Sequence, residues 1–208
     1  MIIAVDGPAA AGKGTIARAL ARHFKFHFLD TGTLYRRVGL AMLRDNLDLR
    51  DAKAAAAIAK NLKAEIFRDD EMRSEAAAAA ASIVAVIPEV RVALLDFQRD
   101  FAASEPGAVL DGRDIGTVVC PEAQVKLYIT ASPEVRARRR HAELQSTGAD
   151  LSFDSVLEDI KRRDERDRAR AAAPLVAAAD AIVIDTSEMP VEEAVAAAIR
   201  ASHPGLSR

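Results

Sequence analysis

The sequence predicts an α/β fold, with a five-stranded parallel sheet and helices on both of its faces. Five short apolar runs are continuous rather than alternating, as in strands that are buried on both faces of a parallel sheet. Helical patterns separate these runs, and strands that alternate with helices are typical of a parallel sheet. The chain has 208 residues, of which 50% are hydrophobic, and this is enough for one domain with a sizeable core.

The strands are predicted at the apolar runs Ile2–Asp6, Phe26–Leu29, Ala108–Leu110, Val125–Thr130 and Ala181–Asp185. Helices are predicted where apolar residues recur at helical spacing after a cap or a proline, at Thr15–Phe24, Leu34–Leu43, Asp51–Leu62, Pro88–Phe101, Ser132–Leu144, Ser152–Arg170 and Pro190–Ala201. The alanine run at 76–81 is also expected to be helical, because alanine is the best helix former. Phe67–Glu75 has no core pattern and is expected to be an exposed loop or the edge of an insertion.

Composition and charge exclude several classes of protein. The formal net charge of −2 gives no overall attraction to a nucleic acid polymer or to an anionic membrane. The single cysteine, Cys120, excludes an intrachain disulfide, fits a reducing compartment, and is expected to be a buried small side chain. No apolar run reaches the roughly 18 residues of a membrane-spanning helix. We therefore expect a cytoplasmic protein, and the absence of a heptad pattern favours a monomer.

The stretch DGPAAAGKGT, directly after the first strand, has the spacing of a phosphate-binding loop. Gly7, Gly12 and Lys13 occupy the first three fixed positions of that pattern. An apolar strand precedes the loop and a helix follows it, so backbone N–H groups, the helix dipole and the lysine can surround an anion. The residues predicted to hold the phosphates of a nucleoside triphosphate are Gly7, Pro8, Ala9, Ala10, Ala11, Gly12, Lys13, Gly14 and Thr15.

The loop departs from the usual pattern at one position. Gly14 stands where a serine or threonine usually follows the lysine, and Thr15 comes one residue later. This GKGT variant resembles nucleoside monophosphate kinases rather than GTPases. The sequence also contains no Asn-Lys-x-Asp guanine-reading motif, which argues against a GTPase switch.

The stretch DGRD, residues 111–114, follows the third predicted strand. Ligands of α/β proteins bind at the carboxyl ends of parallel strands, so Asp111 is suited to reach a magnesium ion through water and Arg113 to hold a phosphoryl group. The alternative is a hairpin turn, since Asp-Gly is a strong turn signal. The parallel sheet favours a ligand site.

The stretch LDTGTLYR follows the second strand and ends at Arg36. Its residues Asp30, Thr31 and Gly32 are expected to form a turn and the N-cap of a helix, with Arg36 about one turn inside it. Taken alone, this pattern favours a plain capped helix with a surface arginine.

A helix near the C-terminus has an apolar face that becomes charged. Phe153, Val156, Leu157 and Ile160 mark one side of the helix, and the same side continues through Arg163, Arg166, Asp167 and Arg170. A helix kept soluble by ion pairs would carry them on the opposite side, although exposed pairs at the helix end are the alternative. Inward arginines and an acid predict a cleft that holds phosphates and a sugar hydroxyl.

The run RARRR contains Arg136, Arg138, Arg139 and Arg140, which point in all directions around a helix. Some of these arginines must be solvated, and the sequence does not decide which of them contacts a nucleotide.

With these motifs assembled, the chain resembles the bacterial cytidylate kinase family. The stretches that carry the resemblance are DGPAAAGKGT, LDTGTLYR, IPEVRVALLDFQRDF, LDGRDIGTVVCPEA and IKRRDERDRARAAAPLVAAADAIVIDTS, which cover most of the chain in the family's order. The resemblance implies a P-loop kinase fold and transfer of the γ-phosphoryl group of ATP, with Mg²⁺, to CMP or dCMP. The sequence does not distinguish these two acceptors.

The resemblance also implies roles for individual residues. Gly7–Thr15 would hold the ATP phosphates. The CMP-binding residues would be Ser82, Arg91 and Asp114 at the cytosine, Arg163 and Asp167 at the sugar, and Arg36, Arg113 and Arg170 at the phosphate, with Thr31 beside it. The catalytic charges would be Lys13, Arg36, Arg113, Arg163 and Arg170. No direct protein ligand is predicted for the metal, and Thr15 and Asp111 are candidates for contact through water.

The predicted organisation is a single P-loop kinase domain. Its core would comprise residues 1–36, 105–139 and 161–208, a helical NMP-binding insertion would cover about 37–104, and a short lid would cover about 140–160. Family members usually carry a longer insertion with a small antiparallel sheet before the counterpart of Ser82. Two alternatives stay open: a kinase for another acceptor such as UMP, AMP or a small metabolite, and a nucleotide-binding regulatory module without catalysis.

Overall fold

The computed structural model describes residues 1–62, 67–146, 148 and 150–203, and the chain divides into two compact units. The first, the sheet unit, consists of Met1–Leu29 and Ala102–Arg208, and the second, the helical unit, is Asp30–Phe101. The predicted insertion at 37–104 overlaps the helical unit and includes residues 63–66, which lie outside the described residues. The predicted lid at 140–160 likewise includes residues 147 and 149, which lie outside them.

A five-stranded parallel sheet forms the centre of the sheet unit. The strands are β1 (Ile2–Asp6), β2 (His27–Asp30), β3 (Ala108–Asp111), β4 (Val125–Thr130) and β5 (Ile182–Asp185), in the order β2-β3-β1-β4-β5. In the central pairs, Val5 of β1 is opposite Asp111 of β3 and Leu127 of β4. The carboxyl ends of β1 and β3 therefore meet at one edge of the sheet.

Aliphatic side chains hold this sheet against helices α1 (Lys13–Phe24) and α9 (Val191–Ala201). Ile3 and Val5 of β1 pack with Leu20 of α1 and Ala198 of α9 in one buried cluster. Four of the five residues of β1 and all of β3 are buried. This burial agrees with the continuous apolar runs from which the strands were predicted.

Two longer helices and one π-helical turn complete the sheet unit. The turn covers Ile115–Val119, and the helices are α7 (Pro133–Ser146) and α8 (Phe153–Arg168). Helices α7 and α8 pack through a small cluster of buried residues, Ala137, Leu144, Val156 and Ile160. The side of α8 that the apolar stripe predicted is therefore the side that packs.

The helical unit contains α2 (Gly32–Arg44), α3 (Ala52–Lys60), α4 (Asp69–Arg73), α5 (Glu75–Val84) and α6 (Pro88–Ala102). Its own core is built mainly from Leu34, Val38, Met42, Val84, Val90 and Leu94. Helices α2 and α5 approach closely at Gly39, where an added Cβ would lie 2.7 Å from the Cβ of Ala80. The alanine-rich sequence of α5 permits this approach.

The structure confirms the five-stranded parallel sheet but corrects two local predictions. Helix α8 ends at Arg168 rather than Arg170, because the chain turns after Ala169 and the Leu175 N–H donates to the Asp167 carbonyl oxygen, which a continued helix would use. The stretch predicted as an exposed loop contains α4, whose start is fixed by the Arg68 N–H donating to the Glu71 carboxylate. The short insertion carries α4 and α5 and no strand within its described residues 67–84.

Within the described residues, no single helix is long and apolar enough to span a membrane. Helices α5 and α6 satisfy that test only as a pair, and they are bent by 102° relative to each other.

Candidate active site

The phosphate loop connects the end of β1 to the beginning of α1. Gly12 has a left-handed φ of 88° and forms the N-cap of α1, so Lys13 is the first residue of that helix. The Lys13 ammonium is buried and donates a hydrogen bond of 2.9 Å to the carbonyl oxygen of Pro8. This arrangement places a positive charge and the N–H groups of a helix N-terminus at the same loop, which suits a phosphate.

One glycine of the loop is required by its neighbours, and a second lies close to the Asp111 carboxylate. A Cβ on Gly7 would lie 1.9 Å from the carbonyl oxygen of Ile129 in β4, so no side chain fits there. A Cβ on Gly14 would lie 3.4 Å from an Asp111 carboxylate oxygen and 3.2 Å from the Arg18 guanidinium. A side chain at Gly14 would therefore touch the Asp111 carboxylate, and only the flexible end of Arg18 would have to shift.

Asp111 ends β3 and faces the phosphate loop. Its Oδ1 lies 3.9 Å from the Nζ of Lys13, and its side chain is largely buried. A carboxylate near a phosphate loop is the kind of oxygen ligand that Mg²⁺ uses together with substrate phosphates and water. The described residues contain no group of three or more His, Cys, Asp or Glu side chains that could hold a metal by themselves. The position of the Asp111 carboxylate beside the phosphate loop suits a Mg²⁺ ion that arrives with a nucleotide. Thr15 is exposed two residues after Lys13.

Asp167 of α8 lies between two arginines from outside the helix. Arg113 donates through Nε to one carboxylate oxygen at 3.1 Å, and Arg170 donates to the other oxygen. Asp167 is only 1% exposed. Burial acts to raise the pKa of this carboxyl, but the charges of Arg113, Arg170 and Arg163 outweigh burial and lower it. Asp167 thus stays ionised as a hydrogen-bond acceptor.

The inward, charged end of α8 was predicted from the apolar stripe, with one correction. Arg170 does not lie on the helix, yet it turns back to Asp167 three residues earlier. The Leu175 N–H donates to the Asp167 carbonyl oxygen at 2.9 Å, which fixes this turn. The cluster of Arg113, Arg163, Asp167 and Arg170 therefore contains residues from two separate motifs.

Asp114 and its neighbours form a part of the site that the sequence only partly revealed. Asp114 is buried and is the N-cap residue of the π-helical turn. The two carboxylate oxygens of Asp6 accept the N–H groups of Ile115 and Gly116, each at 2.8 Å. Sequence reasoning treated Asp6 only as the end of a strand. The sequence feature that could have drawn attention to Asp6 is its position directly before Gly7 of the phosphate loop.

A second missed feature is a buried ion pair between α7 and α8. The Arg136 guanidinium, 1% exposed, donates to both carboxylate oxygens of Asp164, at 3.0 and 2.6 Å. Arg136 also donates to the carbonyl oxygen of Ala9 in the phosphate loop at 3.3 Å. Asp164 follows Ile160 by four residues on the packed side of α8, so the apolar stripe could have identified it.

The other arginines of the RARRR run differ in their surroundings. Arg139 donates to the hydroxyl and to the carbonyl oxygen of Thr186, at 3.0 and 2.7 Å. The hydroxyl of Thr186 in turn donates to the Ala11 carbonyl oxygen of the phosphate loop at 3.2 Å. Arg138 is exposed, and Arg140 pairs with Glu143 on the same helix. Arg136 and Arg139 therefore act as structural supports of the loop in this structure.

Four predicted site residues lie in the helical unit. Thr31 is buried at the N-cap of α2, and Arg36, one turn later, donates to the Met72 carbonyl oxygen at 3.0 Å. Ser82 is buried on α5. Arg91 on α6 donates to the Ala85 carbonyl oxygen, and its guanidinium lies 5.7 Å from the centre of the Tyr35 ring. The helical unit thus offers two arginines and two hydroxyl groups.

Comparison with known proteins points to one family. The sequence model of the family described as cytidylate kinase matches residues 3–203. Among curated relatives, a cytidylate kinase of Methylobacterium sp. (strain 4-46) is 61% identical over 181 residues, which cover 87% of this chain and 86% of the relative. A cytidylate kinase of Rhodospirillum rubrum is 57% identical over 203 residues, covering 96% and 95%. One of Methylocella silvestris is 52% identical over 214 residues, covering 98% and 99%.

A solved structure supports the fold alone. The crystal structure of an uncharacterized protein from Eubacterium ventriosum aligns with a TM-score of 0.54 at 15% identity, over 96% of both chains. The sequence matches extend over nearly the full length of this chain and of its relatives, through the phosphate loop, the DGRD segment and α8. The chain is a kinase and belongs to the cytidylate kinase family.

Proposed function

We propose that the protein transfers the γ-phosphoryl group of ATP to CMP or dCMP, giving ADP and CDP or dCDP. The observation that carries this proposal is the buried cluster of Arg113, Asp167 and Arg170 in a chain that also has a complete phosphate loop. The loop accounts for one nucleotide, and the cluster supplies the charges that a second, smaller nucleotide needs. Membership of the cytidylate kinase family supports cytidine as its nucleoside.

The donor side of the site is the phosphate loop, residues Gly7–Thr15. Its helix N-terminus and the ammonium of Lys13 would bind the β- and γ-phosphates of ATP, since both attract negative charge. Lys13 would exchange its hydrogen bond with Pro8 for phosphate oxygens. This residue therefore neutralises charge on the group that is transferred.

On the acceptor side, three arginines would hold the CMP phosphate. We assign this role to Arg36, Arg113 and Arg170, with Thr31 beside them, because guanidinium groups bind phosphate oxygens in pairs. Arg163 and the ionised Asp167 would hold the sugar hydroxyls. Ser82, Arg91 and Asp114 would read the cytosine, since an amino donor and ring acceptors match an acid, a hydroxyl and a guanidinium.

In the reaction, a phosphate oxygen of CMP attacks the γ-phosphorus of ATP. The bond from that phosphorus to the oxygen bridging to the β-phosphate breaks, and this oxygen leaves with ADP. Phosphoryl transfer needs positioning and charge neutralisation rather than a protein nucleophile. Lys13 and the acceptor arginines supply both. Mg²⁺ bound with ATP would add further neutralisation of the phosphates, and Asp111 and Thr15 would contact it through water.

The experiment that tests this proposal is a coupled ADP-release assay with ATP, Mg²⁺ and a panel of nucleoside monophosphates. We expect turnover with CMP and dCMP far above that with UMP or AMP, and none without Mg²⁺. Lys13→Ala and Arg113→Ala should each lower kcat/KM for CMP by about a hundredfold or more, because each removes a charge that stabilises the transferring phosphates. Lys161→Ala, which alters an exposed residue of α8, is the matched control and should retain activity.

Turnover with another acceptor and none with CMP would contradict the proposed substrate while leaving a kinase. Binding of ATP with no transfer to any monophosphate would instead favour a regulatory module. Full activity of Arg113→Ala would contradict the role given to the acceptor cluster.

A further inference from the structure

We infer that Asp6 is a positioning residue that holds the acceptor-binding segment Gly112–Asp114 in register with the phosphate loop. The inference rests on the proposed function, because that function gives Arg113 and Asp114 their roles at CMP. The Asp6 side chain itself is given no contact with ATP or CMP. It acts through the backbone that follows Asp114.

The contacts of Asp6 are specific. It is the last residue of β1 and is 5% exposed. Its Oδ1 accepts the Ile115 N–H and its Oδ2 accepts the Gly116 N–H, each at 2.8 Å, across more than a hundred residues of sequence. Both oxygens of one carboxylate are therefore used by consecutive backbone groups.

These N–H groups belong to the first two residues of the π-helical turn Ile115–Val119. The first N–H groups of a helical turn have no acceptor inside it and need one from elsewhere. Asp114 occupies the N-cap position, but its side chain does not make the capping hydrogen bond. Asp6, the last residue of β1, supplies the acceptor for these N–H groups instead.

The segment between β3 and the π-helical turn is consequently fixed at both of its ends. The Gly112 N–H donates to the Val5 carbonyl oxygen at 2.9 Å, and Asp6 holds Ile115 and Gly116. Arg113 and Asp114 lie between these two attachments. Because Val5 and Asp6 directly precede Gly7, the residues that would hold CMP and those that would hold ATP share one attachment point.

Ionisation of the Asp6 carboxyl carries an energetic cost. Burial raises the pKa of the Asp6 carboxyl to about 7, although the bonds from Gly116 and Ile115 oppose this rise and Asp114 adds to it. A buried ionisable group with a shifted pKa beside a candidate site is typical of function. The ionised form is the one that accepts both N–H groups, so the positioning needs the charge.

The test compares wild type with Asp6→Asn at pH 8, where wild-type Asp6 is ionised. Asparagine keeps the size and one acceptor oxygen but replaces the second oxygen with a donor, so one of the two N–H groups loses its partner. We expect kcat/KM for CMP to fall by about tenfold to a hundredfold, since small displacements of binding groups have such effects. The KM for CMP should rise, while the dissociation constant of ATP, measured by calorimetry, should change by less than about threefold.

Hydrogen exchange measured by NMR supplies a second readout that does not depend on activity. Exchange of the Ile115 and Gly116 amides should become faster in Asp6→Asn, while the amides of β4 should keep their wild-type rates. Asp6→Ala removes both acceptors and should show a larger kinetic effect if it folds. Asp51→Asn is the matched control, because Asp51 caps α3 in the helical unit by accepting the Ala54 N–H and should leave all of these quantities unchanged.

Two results would overturn the inference. One is an unchanged KM and kcat for CMP in Asp6→Asn. The other is a fall in kcat alone, with both KM values unchanged and all amides exchanging faster, which would mean a smaller folded fraction. Failure of the proposed function is distinguishable, since wild type would then not use CMP, and the same comparison with the monophosphate that it does use decides the role of Asp6.

Discussion

At the scale of single residues, the ionised form of Asp6 that the proposed positioning role requires lowers the stability of the folded protein. The pKa of its carboxyl is about 7 in the folded protein, and an ordinary aspartate in the unfolded chain titrates near 3.8. Between these values the folded state binds the proton more tightly, so stability falls as the pH rises. The contribution of Asp6 is fully present below about pH 4 and is lost as the pH passes through about 7.

We therefore expect Asp6→Asn to remove this pH dependence. The free energy of unfolding of wild type minus that of the variant should fall by up to roughly 4 kcal/mol between pH 4 and pH 7.5. At pH 8 the variant should be at least as stable as wild type although it is less active. Urea unfolding at several pH values measures the difference.

The control for this prediction is a carboxyl whose effect on stability should change with pH in the opposite direction. Asp185, at the same end of β5, accepts the hydroxyl and the backbone N–H of Ser187, and these bonds lower the pKa of its carboxyl. Wild type should gain stability over Asp185→Asn as the pH rises from the lowered pKa of this carboxyl to the ordinary aspartate value near 3.8, and should keep that gain at higher pH. Parallel curves for wild type and Asp6→Asn would contradict the prediction for Asp6.

Arg162 and Arg163 are neighbours on α8 with different surroundings. Arg163 lies near Asp167 and lowers the pKa of its carboxyl, whereas Arg162 is exposed and pairs with Asp159. Arg163→Ala should lower kcat/KM for CMP by about tenfold to a hundredfold, which corresponds to the loss of a charge-assisted hydrogen bond to the substrate. Arg162→Ala should stay within about twofold of wild type. Equal effects of the two substitutions in the coupled assay would contradict the role of Arg163.

At the scale of secondary-structure elements, the buried pair of Arg136 and Asp164 joins α7 to α8. Every hydrogen bond of Arg136 is made inside the protein, to Asp164, Ala131 and Ala9. Asp164→Asn leaves a buried guanidinium without its counter-charge and should lower the free energy of unfolding by about 3–5 kcal/mol. Urea unfolding monitored by circular dichroism measures this change.

Two further variants separate burial from ion pairing. Asp159→Asn removes the partner of an exposed arginine on the same helix and should cost less than about 1 kcal/mol. The double substitution Arg136→Met with Asp164→Leu removes both charges and should recover most of the stability lost in Asp164→Asn. A double variant as unstable as the single one would show that the contact with Ala9, rather than the charge pair, is what matters.

The elements themselves were largely predictable from sequence, because their signals are local. Continuous apolar runs identified β1 and β4 to the residue, and the apolar stripe of α8 identified its packed side. The π-helical turn was not predicted, since its cap comes from Asp6 in a distant strand. Arg136 was left among four similar arginines for the same reason, because its partners Asp164 and Ala9 meet only in the folded chain.

The candidate site likewise has parts that the sequence predicted and parts that it did not. The phosphate loop and the DGRD segment were predicted because spacing and strand ends are visible in one dimension. The Lys13–Asp111 approach and the Arg113–Asp167 bond were not, because they depend on the strand order β2-β3-β1-β4-β5. That order places the ends of β1 and β3 side by side, and no local sequence pattern indicates the strand order.

At the scale of the whole molecule, three hydrogen bonds that support the phosphate loop lie within one unit. Lys13, Arg136 and Thr186 bond the loop carbonyl groups of Pro8, Ala9 and Ala11, and all of these residues belong to the sheet unit. The helical unit has a separate buried cluster. We therefore expect that damage to the helical unit removes acceptor use and leaves ATP binding.

Gly39→Val tests this expectation. A Cβ at Gly39 would lie 2.7 Å from the Cβ of Ala80 and 2.9 Å from its backbone carbon, so valine forces α2 away from α5. We expect kcat/KM for CMP to fall by more than about a hundredfold, because Arg36, Ser82 and Arg91 lie on the helices of this unit. The dissociation constant of ATP, measured by calorimetry, should stay within about threefold of wild type.

Ala57→Val is the matched control for Gly39→Val. It introduces the same residue on the exposed side of α3 in the same unit, where the expected cost is about 0.5 kcal/mol of helix propensity. Its activity and ATP affinity should equal those of wild type. If Gly39→Val loses ATP binding together with CMP turnover, the two units unfold as one, and the loop depends on more of the chain than its own contacts. If ATP binding survives, the phosphate loop is supported by the sheet unit alone, and the helical unit serves the acceptor.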